Sequence, residues 1–318
     1  MGYFSNYRVL LTGATGFLGK HVHAKLKSLE PRELVAVSSR DFDLTRESEV
    51  EKMFREAKPT LVFHLAGLVG GILANKERPA DFFYRNIMMG TLVFHYAYKA
   101  GVEKIVAAGA GCGYPEHANM PLIESSLWDG RPQKESAPYS LAKRMLAVQS
   151  LAYHQQYGFK SVICIPGNIY GEYDNFNLTS SHVIPALVRK FVEATRDNKP
   201  EVEVWGTGTP TRDYIYAPDV AEGMMKACEH YTSTDVVNIS SGEETSVSQI
   251  CEVLKSVTGY KGQIKWLTDR PEGQKRRWFD VTKAKRDLNW SAATTLEVGL
   301  RNTVQWFRDN LNSPDLRR

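Results

Sequence analysis

The sequence predicts an α/β protein: a doubly wound parallel sheet of the Rossmann type with a smaller mixed C-terminal domain. Three observations carry this. A glycine-rich turn joins the first strand to the first helix, strands and helices then alternate for half the chain, and the rhythm loosens after Pro166. Strands separated by whole helices pair in parallel, because the chain must cross back over the sheet before the next strand begins.

Tyr7 to Leu11 is a short apolar run leading into Thr12-Gly13-Ala14-Thr15-Gly16-Phe17-Leu18-Gly19, and a helical pattern continues through Leu26. Further strands are expected at 33–37, 61–65, 104–108 and 161–165, with helices near 48–57, 81–100 and 139–157. Beyond Pro166, helices near 183–196, 218–230, 246–257 and 294–311 alternate with short strands at 202–205 and 236–239. The expected division is a dinucleotide-binding domain over 1–165 and a substrate domain over 166–318, with the chain around 213–241 returning to the first.

Composition narrows the class. A chain of 318 residues with 42% apolar and 24% charged side chains can bury a substantial core without staples. Forty basic against thirty-six acidic residues give +4, too even a balance for a nucleic-acid-binding surface. No apolar run reaches the ~18 residues of a membrane span. Cys112, Cys164, Cys228 and Cys251 are too sparse for a disulfide framework and lack zinc-site spacing, so reduced thiols, no metal and a cytoplasmic location are expected.

Gly13, Gly16 and Gly19 form a GxxGxxG turn that opens the first helix. Without Cβ atoms, the turn lets a pyrophosphate approach backbone amides at a helix N-terminus, where the dipole favours anions. A ligand-free capping turn would use the same glycines; placement in the first βα unit favours the dinucleotide, with Thr15, Phe17 and Leu18 as further contacts. The second strand ends in Val37-Ser38-Ser39-Arg40 rather than the acid that usually holds NAD ribose hydroxyls. Ser39 and Arg40 suit a 2′-phosphate, which points to NADP(H), and Asp43-Leu44 would flank the adenine. Tyr139 and Lys143 lie four residues apart on one helical face, where an ammonium is expected to draw the phenol down from its usual ~10.

With these residues in place, the chain resembles the extended short-chain dehydrogenase/reductase family and, within it, the GDP-L-fucose synthases. The resemblance runs from Val9 to about Asn310. It rests on His64-Leu65-Ala66, Val69-Gly70-Gly71, Cys112-Gly113-Tyr114-Pro115, Tyr139 with Lys143, Asp174-Asn175-Phe176-Asn177, Ser181 to Leu187, and Val204 to Gly208. It implies that Leu65, Ala66, Lys143 and His182 also touch the cofactor. It further implies 3,5-epimerisation and 4-keto reduction of GDP-4-keto-6-deoxy-D-mannose to GDP-L-fucose, and a homodimer through helices 81–100 and 139–157.

The chemistry of the cysteine–histidine pair fits on its own terms. A C4 ketone acidifies the hydrogens on C3 and C5, so inverting those centres takes a base on one face and a proton donor on the other. Cys112 can be the base and His182 the donor, with unperturbed pKa values of ~8.5 and ~6.5. A small buried cysteine and a helix-capping histidine are the alternatives; the family pattern favours the functional reading. The family also implies that Asn168, Asn175, Lys190, Trp205, Arg212 and Arg276, the last within the basic run Lys275 to Arg277, bind the nucleotide sugar.

One position departs from the pattern. Ala110 stands where the family carries a serine or threonine hydroxyl beside the sugar O4, and loss of such a donor costs ~2.7–4 kcal/mol of transition-state stabilisation. Three readings stay open: a compensated synthase, an enzyme shifted toward epimerisation or a related keto-sugar such as a heptose or dideoxy sugar, and an engineered or crippled variant; an idle NADP(H)-binding protein on the same scaffold is the alternative of another class.

Overall fold

The structure is a computed structural model that describes residues 2–270, 273–313 and 316–317. Residues 271–272, 314–315 and 318 of the expected second domain lie outside the described residues.

The first half alternates β1 (Arg8–Thr12), α1 (Phe17–Ser28), β2 (Glu33–Val37), α2 (Glu47–Ala57), β3 (Leu61–His64), α3 (Ile72–Glu77), α4 (Pro79–Lys99), β4 (Lys104–Ala108), α5 (Ala137–Tyr157) and β5 (Lys160–Pro166). Then follow β6 (Asn168–Tyr170), α6 (Val183–Arg196), β7 (Glu201–Trp205), β8 (Thr211–Arg212), β9 (Tyr214–Tyr216), α7 (Ala217–His230) and β10 (Val237–Ile239). The chain ends with β11 (Thr245–Ser246), α8 (Val247–Thr258), β12 (Gln263–Leu267), β13 (Arg276–Arg277), α9 (Thr282–Leu288) and α10 (Leu296–Asp309).

Six strands form one all-parallel sheet in the order β10-β5-β4-β3-β1-β2. Its central strands are mostly apolar, as burial on both faces demands: Val9, Leu10, Leu11, Leu61, Val62 and Phe63 are fully enclosed. Side chains of α2, α4 and α5 cover one face, and those of α1, α7 and α9 cover the other. The sixth strand arrives late in the chain: β10 aligns Val237 with Cys164 and Ile239 with Pro166. A separate core, built on Phe176, Leu187, Phe191, Leu254 and Phe307, joins α6, α8 and α10 over β7.

The sequence did not flag β12, which pairs in parallel with β7, nor the short α9. A two-stranded ribbon with one half-exposed face has too weak a period-2 signal to stand out. No helix among the described residues is long and apolar enough to cross a membrane.

Candidate active site

In parallel sheets ligands gather beyond the carboxyl ends of the strands, and here those ends carry the reactive side chains. The β1–α1 turn comes first. Gly13 has φ +74°, and a Cβ there would lie 2.7 Å from the Ala66 nitrogen beyond β3. A Cβ on Gly19 would lie 2.0 Å from the Gly13 carbonyl oxygen, so only glycine lets α1 start this close to the turn. Gly16 is the N-cap of α1 and offers no side-chain cap, which leaves the first-turn amides to an anion. This cradle fits a dinucleotide pyrophosphate.

Thr15 and Gly16 are exposed, Phe17 and Leu18 half-buried. At the end of β2, Asp41 accepts from the backbone and hydroxyl of Ser38, both at 2.8 Å. That acid is consumed locally, and Ser39 and Arg40 stay exposed with no ion pair to Arg40 among the described residues. Asp43 accepts from Thr45 through both its amide and its hydroxyl, which makes it a turn-former, while Leu44 belongs to the core.

Beyond β3, Thr12 links two elements. Its hydroxyl accepts from the Ala66 amide at 3.4 Å and meets His64 Nδ1 at 2.8 Å. Burial pushes His64 down to about 3, so it is a neutral spacer under Leu65 and Ala66. Asn86 of α4 pins the next residues by accepting from the Leu68 amide and donating to the Leu68 carbonyl, each at 3.0 Å. Its Oδ1 and the Lys143 ammonium both lie close to Gly67. Nothing in the local sequence marks Asn86, because beyond its bond to the Phe82 carbonyl one turn back its partner, Leu68, lies eighteen residues away.

The first turn of α5, with Pro138 near its start, carries Tyr139, whose ring meets Phe82 edge-on at 6.1 Å. One turn later, Lys143 reaches back to the end of β4 and donates to the Ala108 carbonyl at 3.1 Å. The expected pull of this ammonium on the phenol does not appear: burial and then the Cys112 thiol both push Tyr139 upward. The ammonium is itself enclosed, and burial brings Lys143 down to about 8.

Cys112 sits in a 3-10 turn, Gly111–Gly113, just past β4. Burial raises its thiol, while a hydrogen bond with Ser140 and the charge of Arg277 pull the other way. Ser140 lies inside the Tyr139-to-Lys143 segment, so one helical turn presents phenol, hydroxyl and ammonium to the cysteine turn. His182 is the solvent-exposed N-cap of α6; its carbonyl accepts from the Ala186 amide, its ring makes no hydrogen bond among the described residues, and desolvation by the surrounding protein lowers its pKa.

The outer residues divide. Arg212 is half-buried, donates to its neighbour's carbonyl at Thr211 and has no carboxylate partner among the described residues, a fitting state for an anion-binding guanidinium. Arg276 and its neighbour Arg277 face different partners. In β13 alternate side chains point to opposite sides; Arg276 turns outward onto Glu244 at 2.6 Å, and Arg277 turns inward to the Gly111 carbonyl at 2.7 Å. Lys190 donates to the Glu203 carbonyl, Asn168 to the Asp213 carbonyl, and Asn175 to Ser180. Trp205 is 58% exposed, with Arg270 over its ring.

The model of the NAD dependent epimerase/dehydratase family matches residues 9–240. The chain belongs to that family. Within it, the chain is 36% identical over 304 residues to the GDP-L-fucose synthase of Sinorhizobium fredii, covering 96% of each. A GDP-L-fucose synthetase from Naegleria fowleri, solved bound to NADP, superposes with a TM-score of 0.92 at 28% identity and covers 100% of this chain and 97% of its own. A GDP-6-OMe-4-keto-L-xylo-heptose reductase from C. jejuni gives 0.89 at 27% identity, covering 98% and 100%. These relatives of the epimerase/dehydratase family include a GDP-L-fucose synthase and a 4-keto reductase of another GDP-sugar.

Proposed function

We propose that this chain epimerises and reduces GDP-4-keto-6-deoxy-D-mannose to GDP-L-fucose, with NADPH as cofactor. The observation that carries the reading is the convergence of Cys112, Tyr139 and Lys143 where β4 meets the start of α5. The Gly13–Gly19 turn would hold NADPH, with Ser39 and Arg40 available to its 2′-phosphate, and the bound cofactor would supply the hydride for C4. Cys112 takes the proton from C3 and, once that proton has passed to solvent, the one from C5, and each time His182 supplies the replacement proton from the opposite face and is reprotonated by solvent. Tyr139 gives its proton to the C4 oxygen, and its high pKa keeps that proton in place until the oxygen becomes basic. Lys143 would hold the nicotinamide ribose, and Arg212 would meet the charge of the substrate.

The protein, incubated with the keto-sugar and NADPH in heavy water, consumes NADPH and yields GDP-L-fucose carrying deuterium at C3 and C5. A protein that neither consumes NADPH nor introduces deuterium overturns the proposal.

Ala110 favours a second reading, reduction or epimerisation of a related GDP-4-keto sugar. It offers no hydroxyl, but a cavity of about 10 Å³ lined by Ala110, Gly109, Lys143 and Arg144 lies beside it, near the minimum for one water. Turnover across heptose and dideoxy keto-sugars separates the two. The reading also includes a homodimer through α4 and α5, and a cytosolic setting in which Cys112 stays reduced.

A further inference from the structure

The carbonyls on either side of Cys112 are each held by a guanidinium that comes from elsewhere in the chain. Arg277 Nη2 donates to Gly111 O at 2.7 Å, and Arg144 Nε donates to Gly113 O at 3.0 Å, with its Nη2 on the same oxygen. The turn has no slack, because a Cβ on Gly111 would meet the Phe279 ring at 2.7 Å. Arg144 also donates to the Gly130 carbonyl and lies against Trp128; Arg277 donates to Gln274, whose amide holds the Glu116 carbonyl. Neither guanidinium has a carboxylate within 4 Å among the described residues.

The two differ in what they offer the sulfur. The groups that face Cys112 are Ser140, Tyr139 and Lys143 from α5 and Arg277 from β13, with Arg212 adding a like charge behind Arg277. An arginine stays protonated, so at Arg277 an unneutralised charge sits beside a desolvated thiol. We propose that Arg277 is a positioning residue for Cys112: it anchors the cysteine turn through the Gly111 carbonyl and presents the fixed positive charge that favours the thiolate. Arg144 completes the clamp by geometry alone. This rests on the proposed role of Cys112 as a base, and it adds the residue that makes a buried thiol usable as one.

The test reads the thiol without substrate. Cys164, Cys228 and Cys251 are at most 1% exposed, so iodoacetamide alkylation of the folded protein, read by peptide mass, reports Cys112. Across a pH series, R277Q moves the alkylation midpoint up by about one unit, an approximately tenfold slower reaction at pH 8. R277K keeps the charge and stays within about twofold of the wild type. A glutamine variant with the wild-type profile overturns the proposal; so does a lysine variant as slow as the glutamine one, and the lysine variant alone decides if the glutamine variant does not fold. In parallel, the wild type is assayed for deuterium uptake into the keto-sugar. No uptake with the alkylation shift intact rejects the proposed function and leaves the clamp standing.

Discussion

At Tyr139 the phenol and its surroundings have separable roles. The ring packs on Phe82 and the oxygen is the proposed proton donor, so Tyr139→Phe keeps the packing and removes only the proposed acid. Reduction, followed by NADPH consumption, then falls by about 10²–10⁴-fold, whereas deuterium exchange driven by Cys112 continues at C3 and C5. Equal loss of both activities would show that Tyr139 is not a dedicated donor for C4. Tyr139 with Lys143 was legible from spacing and Cys112 with His182 from a family pattern. Ser140, Asn86, Arg144 and the inward turn of Arg277 were not, since each is defined by a partner brought in through the fold.

At the scale of elements, the β1–α1 turn and the α4–α5 pair carry the consequences. A methyl at Gly19 would sit 2.0 Å from the backbone oxygen of Gly13, and backbone yields less readily than a flexible side chain. Gly19→Ala should therefore displace the start of α1, weaken NADPH binding at least tenfold by fluorescence titration and destabilise the fold by about 1–3 kcal/mol; binding within about twofold of wild type would refute the cradle. On α5, Leu141, Val148 and Leu151 are exposed, as are Phe83 and Tyr84 on α4. Such an apolar stripe on paired helices is a candidate interface. Val148→Glu with Leu151→Glu should convert a dimer into a monomer by light scattering, with the far-ultraviolet circular dichroism unchanged. A wild type that is monomeric at assay concentration would remove the interface.

For the whole molecule, two buried groups pull the acid response in opposite directions. His64 is held down at about 3, so between pH 6.5 and 3 the unfolded chain binds a proton that the folded chain refuses. Its contribution falls as pH falls. Asp174, in the loop after β6, accepts from the Asn175 amide through one oxygen, the other has no hydrogen-bond partner among the described residues, and burial raises it to about 7. The folded chain therefore binds the extra proton, and ionising Asp174 costs stability as pH climbs from about 4 to 7, on the order of 4 kcal/mol in full. Asp174→Asn should be more stable than wild type at pH 8 in urea unfolding, with the gain shrinking toward zero near pH 4. A gain independent of pH would mean that the carboxyl is not buried as an acid.

The sequence by itself determined the class of the sheet, the dinucleotide turn and the spacing of Tyr139 and Lys143, because these depend on residue order within one strand, turn or helix. Tertiary structure decided which of two adjacent arginines faces the cysteine, where Lys143 puts its proton, and that burial rather than the ammonium dominates the phenol. Each of those outcomes depends on carbonyls, rings and charges that lie tens of residues away in the chain. Distance through space, together with the exclusion of water, sets their energies.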